Sequence, residues 1–258
     1  MLKMQPTKNL IGITIQGDYN DFYELVESIY RLTGFDEDES YLYYGVQNRL
    51  LGICYDIRHA FMGDRDIQLE DNGMNQDIMD WHKMITPTQN VYYRVEVLFP
   101  EALFAATAVP QMFYYSSRYY GSKSKKNEER EFAPRQQLYA EYVRDKAYLS
   151  LFFAGIWQAL GEVIGDEELE KLIRILKRQD EFYSSYATHY IDKCKIELIT
   201  APLEKRKDKL RNIAKRILKK PAAYYKLEES LRYWAKQYGT SIYELEDPRI
   251  QYPEDWEW

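Results

Sequence analysis

The stretch from Tyr41 to Glu70, YLYYGVQNRLLGICYDIRHAFMGDRDIQLE, constrains the chain more than any other, because a patterned helix must run into a strand through a knot of charges. Val46, Leu50, Ile53, Cys54, Ile57 and Phe61 recur at helical spacing, which puts one apolar face on a 3.6-residue helix. Gly63 follows the last of them, where a helix commonly ends in a left-handed residue that glycine adopts without steric cost. Ile67 and Leu69 alternate with Gln68 and Glu70, which predicts a short strand with one wet face. The turn between them presents Asp64, Arg65 and Asp66 beside Arg58 and His59, cations that suit the negative end of the helix dipole.

On either side of this stretch the pattern predicts further elements. Leu10 to Gln16 reads as a strand, and Asp18 caps a helix carried by Phe22, Leu25, Val26 and Ile29 as far as Gly34. An acidic surface loop, Asp36 to Glu39, follows. Ile78, Met79 and Trp81 belong to a short helix that ends before Pro87. Val91 to Phe99 alternates as the clearest strand and places Arg94 and Glu96 on one face. Pro100 opens a helix over Glu101 to Val109, kinked or interrupted at Pro110.

Past Ser116 the composition changes to SSRYYGSKSKKNEERE, an exposed linker. Tyr139 to Val163 then forms a long helix ending near Gly165, and a second stripe from Leu169 through Leu172, Leu176, Tyr183 and Tyr190 to Cys194 pairs with it as two long antiparallel helices. Thr200 and Pro202 open a third helix, and Pro221 a fourth that ends near Gly239. The expected fold is α+β, with a small three-stranded sheet and covering helices in the N-terminal half and an antiparallel helical bundle in the C-terminal half. The divisions expected are 1–117 for the α+β subdomain, 118–131 for the linker, 132–240 for the bundle and 241–258 for an acidic, aromatic tail.

Charge and composition narrow the functional classes. A net charge of -6 and a pI near 5.3 argue against non-specific nucleic-acid binding by the whole protein. Cys54 and Cys194 lie on apolar stripes, where a thiol acts as a small buried hydrophobe, and neither belongs to a CxxC site. The segment MLKMQPTKNL lacks the apolar core of a signal peptide, and the run from Ala147 to Leu160 is too short to span a bilayer, so a cytoplasmic location with no membrane partner is expected. Twenty-five tyrosines suit half-buried seams between helices or subunits, which favours a homo-oligomer or a protein partner.

Three constellations could carry chemistry. The first is Asp56, His59, Asp64 and Asp66, with Glu96 as a neighbour in space: carboxylates beside an imidazole can hold a divalent cation or move a proton. Its spacing matches no metal motif, so no metal and no cofactor is assigned, and the competing reading is that Arg58 and Arg65 pair with these acids around a helix end. His82, beside Trp81, and His189 read as structural.

The second constellation is the helix EKRKDKLRNIAKRILKK, whose Lys205, Arg206, Lys209, Arg211, Lys215 and Arg216 could contact phosphates, with Lys123, Lys125 and Lys126 adding to the patch. It is equally the solvated back of an amphipathic core helix. The third is the tail ELEDPRIQYPEDWEW, either an ordered strap over the chain's own bundle, covering the basic helix, or a docking segment. Dinucleotide, P-loop, nucleophile-elbow and HExxH motifs are all missing from the sequence.

The segments NRLLGICYDIRHAFMGDRD and NVYYRVEVLFPEALF together resemble a bacterial domain family of uncharacterised function over Asn9 to Gln111, with the helical C-terminal half outside the likeness. The resemblance implies no activity, cofactor or catalytic residue. The leading expectation is a non-enzymatic cytoplasmic interaction or regulatory protein that self-associates through tyrosine-rich helix faces. The alternatives are a metal-assisted phosphodiester hydrolase using Asp56, His59, Asp64, Asp66 and Glu96, and a nucleic-acid-associated protein using the basic helix.

Overall fold

A computed structural model describes residues 2–33, 41–119, 135–178 and 181–258. The acidic loop at Asp36–Glu39, the helix end at Gly34 and the linker lysines Lys123, Lys125 and Lys126 lie outside the described residues. The fold is α+β. Its sheet has four antiparallel strands in the order β1-β2-β4-β3, namely β1 (Lys3–Pro6), β2 (Gly12–Gly17), β3 (Ile67–Asp71) and β4 (Gln89–Leu98).

The expected three strands are therefore four, and the addition is β1. Its sequence, KMQP, is too short for alternation to register, so its structure comes from pairing with β2, from Lys3↔Gln16 to Pro6↔Ile13.

The helices are α1 (Tyr19–Thr33), α2 (Tyr44–His59), α3 (Gln76–His82), α4 (Phe99–Tyr119), α5 (Arg135–Ile164), α6 (Asp166–Arg178), α7 (His189–Ile199), α8 (Leu203–Leu218) and α9 (Ala222–Tyr238). Asp18 caps α1 as expected, since its carboxylate accepts from Asp21 N at 2.8 Å while Asp21 accepts from Asp18 N at 3.2 Å. The apolar stripe of α2 is buried, and the helix unwinds through a wide turn at Ala60–Asp64 in which Gly63 takes φ 93°.

One hydrophobic cluster runs through both halves. Ile13 pairs with Val97 and Ile15 with Val95, and these four face the same core as Phe22, Leu50, Phe104, Phe152, Ile156 and Ile213. Helix α5 lies against β1, α1 and α4. Gly155 permits that approach, because a Cβ there would stand 2.6 Å from the Met4 sulfur. Asp145 of α5 is wholly buried and takes Arg31 Nε at 2.8 Å, Arg31 Nη2 at 2.9 Å and Ser28 Oγ at 3.2 Å, all from α1. By length and composition Tyr139–Ile164 would also pass for a membrane span, but half of its apolar window is buried in the protein.

Four expectations need correcting. Of the two alternatives at Pro110, a kink or an interruption, the interruption is excluded, since helix α4 continues past Val109 and through Pro110 to Tyr119. The stripe from Leu169 to Cys194 is not one long helix: α6 stops at Arg178 and α7 begins at His189. Between them Ser185 takes φ 55° and donates N–H to Leu42 O at 2.6 Å, while Gln111 accepts from Tyr183 N and donates to Glu181 O. Tertiary hydrogen bonds thus replace those of a helix, at a place with no glycine or proline to mark it.

The wet face of β3 is also inverted. Ile67 and Leu69 are 51% and 59% exposed, whereas Glu70 is held by Gln16 Nε2 at 2.8 Å. Ile67 and Leu69 share a face with Tyr93 and Val91, and β3 is an edge strand, so that face runs out beyond the helices that cover β2. Finally, His82 is exposed on α3, a helix with no buried residue, and is not packed.

Three of the tyrosines make an internal seam. Tyr183, Tyr186 and Tyr224 are buried ring to ring, and Lys220 Nζ sits 5.5–5.8 Å from all three centroids. The Tyr183 hydroxyl donates to Ile217 O at 2.9 Å and that of Tyr224 accepts from Ala187 N at 3.1 Å, which satisfies their polar ends.

Candidate functional site

Strand β3 stops short. Its pairing with β4 ends at Ile67↔Tyr93, so the last residues of β4, Val95 to Leu98, have β2 on one side and no strand on the other. A cavity of about 780 Å³ opens there. Helix α2 contributes Asn48, Arg49, Gly52, Ile53, Tyr55 and Asp56, and the chain's tail closes it with Tyr252, Trp256 and Trp258. Arg65, Glu101 and Lys195 complete the wall.

The floor is a charge network of side chains from three helices and the tail. Arg49 of α2 donates to Glu101 of α4 at 3.1 Å, to Asp192 of α7 at 2.8 Å and, with its other nitrogen, to Thr188 O at 3.1 Å. Lys195 is in contact with Glu101 and lies 3.5 Å from Asp192, while the Tyr252 hydroxyl donates to Asp192 at 2.8 Å. Burial would raise the Asp192 carboxyl, but its hydrogen bonds from Arg49, the charges of Arg49 and Lys195 and the Tyr252 hydroxyl hold it below the usual range. The Tyr252 phenol is raised by burial and by the Asp192 charge.

Toward the rim, Arg65 pairs with Asp56 at 3.1 Å and Arg94 with Glu96 at 3.3 Å. Burial raises the Glu96 carboxyl, against the pull of Arg94 and with a contribution from Asp66. Of the five acid–imidazole candidates, only Asp56 and Glu96 line the cavity. His59 Nδ1 bonds Asp64 at 2.8 Å on the surface, and Asp66 serves β4 through its backbone, accepting from Arg94 N at 3.0 Å. No three of His, Cys, Asp and Glu come together as a metal site among the described residues.

The basic helix, α8, is tied into the protein. Arg206 donates to Ala201 O, Asn9 O and Ile199 O at 2.9, 2.7 and 3.1 Å, Lys209 and Arg216 pair with Glu197, and Arg211 pairs with Asp208. Lys205 and Lys215 remain exposed. The tail meets the start of α8, where Pro253, Asp255 and Glu257 share a smaller cavity with Leu203 and Arg206. His189 bonds Leu245 O at 2.7 Å and anchors the approach to the tail. Cys54 and Cys194 are buried free thiols, which burial pushes up to about 11 and about 12.

Sequence reasoning missed Arg49, Glu101, Asp192, Lys195 and the cavity role of the tail aromatics. One signal was present: Glu101 is the only charge in the run FPEALFAATAV, and a charge inside a buried helix needs a partner.

A family model described as a domain of unknown function (DUF6904) matches residues 2–258. The likeness noted over Asn9 to Gln111 therefore extends through the C-terminal helices as well. No curated protein and no solved structure matches the chain.

Proposed function

The chain belongs to the DUF6904 family over residues 2–258, and from its geometry we propose that it is a non-enzymatic binding and regulatory protein whose ligand seats in the cavity between α2, the end of β4 and the tail. The observation that carries this is the cavity's balance. Its cations, Arg49, Arg65 and Lys195, meet an equal number of anions, Asp56, Glu96 and Glu101, and every one of the six is engaged in an ion pair. General acid–base or nucleophilic chemistry needs a group poised to react, and a phosphodiester would bring uncompensated negative charge to a wall that offers no excess of cations. Tyr55, Tyr252, Trp256 and Trp258 supply flat apolar surface instead, in a volume within the range of ordinary ligand sites.

A thermal-shift screen of neutral aromatic fragments, indole and benzamide among them, tests this against the protein and its Gly52→Trp variant, whose new ring would fill the cavity. A fragment at about 100 times its Kd stabilises the wild type by about 2.7 kcal/mol and leaves the variant unmoved. Fragments that shift neither protein, or both equally, refute the reading. For self-association, the specific observation is the exposed apolar edge at Ile67, Leu69 and Val91. Sedimentation of the wild type as a dimer that Leu69→Lys converts to monomer is the outcome this predicts.

A further inference from the structure

Every backbone N–H and C=O along an edge strand is a donor or acceptor that something must satisfy, and the end of β4 is an edge set inside a cavity. Successive residues of a strand point their main-chain groups to alternate sides. Phe99 N–H donates to Ile11 O at 2.9 Å, across to the β2 side, and Arg94 N–H donates to Asp66 O at 3.0 Å, on the β3 side. Odd-numbered residues therefore face β2, and Glu96 and Leu98 face the side that β3 has vacated. Residues of both parities, Val95 to Leu98, line the cavity, so what it meets is the strand's edge and not one of its faces.

Two further features point the same way. Gly52 stands exposed in the middle of α2, and a Cβ built on it would meet nothing within 4 Å. Glycine in a helix interior is destabilising relative to alanine, and here the bare backbone keeps the α2 wall of the groove clear. Across the groove, the Trp256 indole N–H is buried and finds no acceptor among the described residues.

We propose that the free edge of β4 binds an extended peptide segment of a partner protein as an added strand, a reading that rests on the cavity being the ligand site. The Leu98 N–H and the Glu96 C=O supply ladder hydrogen bonds, and the Glu96 N–H joins them on leaving its own carboxylate, whereas the Leu98 C=O serves the first turn of α4. The stretch is about 13 Å of strand at roughly 3.3 Å per residue. Apolar or aromatic side chains of the peptide lie between Tyr55 and Ile53 of α2 and the tail tryptophans, and a peptide carbonyl reaches the Trp256 N–H. The balanced charge of the wall selects a segment with no excess of acids or bases. Such a ligand is recognised through its main chain, which fits a binding protein that reads conformation as much as sequence.

The test begins on the full chain without ligand: by hydrogen exchange the amides of Glu96 and Leu98 exchange at least tenfold faster than those of Val95 and Val97. A phage-displayed random dodecapeptide library is then panned on the full chain, and the recovered peptide is synthesised with each backbone nitrogen methylated in turn. Strand addition predicts that methylation weakens binding at least tenfold at every second position and little between, that the peptide slows exchange at Glu96 and Leu98, and that Gly52→Trp removes binding. Gly52→Gln, a smaller intrusion, replaces that variant if it fails to fold.

An aperiodic methylation profile, slow exchange of all four amides in the free protein, or no recovered peptide overturns the proposal. If indole or benzamide still binds and is lost in the variant, the cavity remains the ligand site and only the peptide class is wrong. If neither peptide nor fragment binds, both readings fall.

Discussion

Two glycines of the same helix should respond to the same substitution with opposite sign. At Gly52 an added methyl group meets nothing within 4 Å and the residue is not among those with positive φ, so Gly52→Ala gains the helix propensity of alanine, about 1 kcal/mol, without a steric cost. At Gly45, in the first turn of α2, the methyl group would stand 2.5 Å from the Tyr243 ring and 3.0 Å from the Thr188 methyl. Both neighbours are held by packing, and overfilling such a site costs about 1–3 kcal/mol, which outweighs the smaller propensity gain near a helix end. In scanning calorimetry, at about 2–4 °C per kcal/mol for a chain of this size, Gly52→Ala melts a few degrees above the wild type and Gly45→Ala several degrees below it. Urea titrations should show the same ordering with unchanged slope. A neutral or destabilising Gly52→Ala would mean that the space above α2 is occupied, and the ligand site argued from it would lose its open α2 wall.

Other perturbations follow from the buried charges and the tail. Asp145→Ala removes the buried carboxylate that accepts from Arg31 and Ser28 and should cost about 3–5 kcal/mol in a guanidinium titration; a loss under 1 kcal/mol would show that α1 and α5 do not depend on the pair. Because Asp192 is held below its ordinary value in the folded protein, the folded state takes up the proton less readily than the unfolded chain. Its stabilisation is present above about pH 4, the ordinary aspartate value, and is lost as pH falls through the lower folded one. Asp192→Asn should therefore be less stable at pH 7 and flatter with pH below 4, and a stability profile parallel to the wild type would refute that assignment. Deleting Arg249 to Trp258 removes Tyr252 from Asp192 and two half-buried indoles from the core edge, at a cost of about 2 kcal/mol. Heparin affinity should not change, because the basic residue of α8 that shares a cavity with the tail, Arg206, is already committed to three backbone carbonyls; a marked rise would mean that the tail shields the basic face.

The parts of the fold that were legible are those where local pattern and tertiary packing agree. The α2 stripe, the Asp18 cap and the end of α9 at Gly239, with φ 65°, each follow from residues that specify their own conformation. Where packing overrides pattern, reading failed. The periodicity from Leu169 to Cys194 persists through a turn because Tyr183 and Tyr186 still face the core, so the spacing alone could not reveal that the helix had stopped. Strand β3 alternates in the expected way yet shows its apolar side to solvent, because which side the helices cover is a property of the whole sheet. The site was legible least of all. Asp56 and Glu96 could be singled out as charges near a helix end, but the partners that fill its floor come from positions 49, 101, 192 and 252, and no local pattern links residues so far apart.

The seat of Met4 against Gly155 has a consequence for biogenesis. The hairpin at the start of the chain can form early, but its outer strand stays uncovered until a helix more than a hundred residues downstream has left the ribosome. Contacts of such long separation slow folding, and in the interval β1, an edge strand of the finished sheet, lacks the helix that packs against it. During synthesis the hairpin of β1 and β2 should therefore depend on chaperones until α5 has emerged.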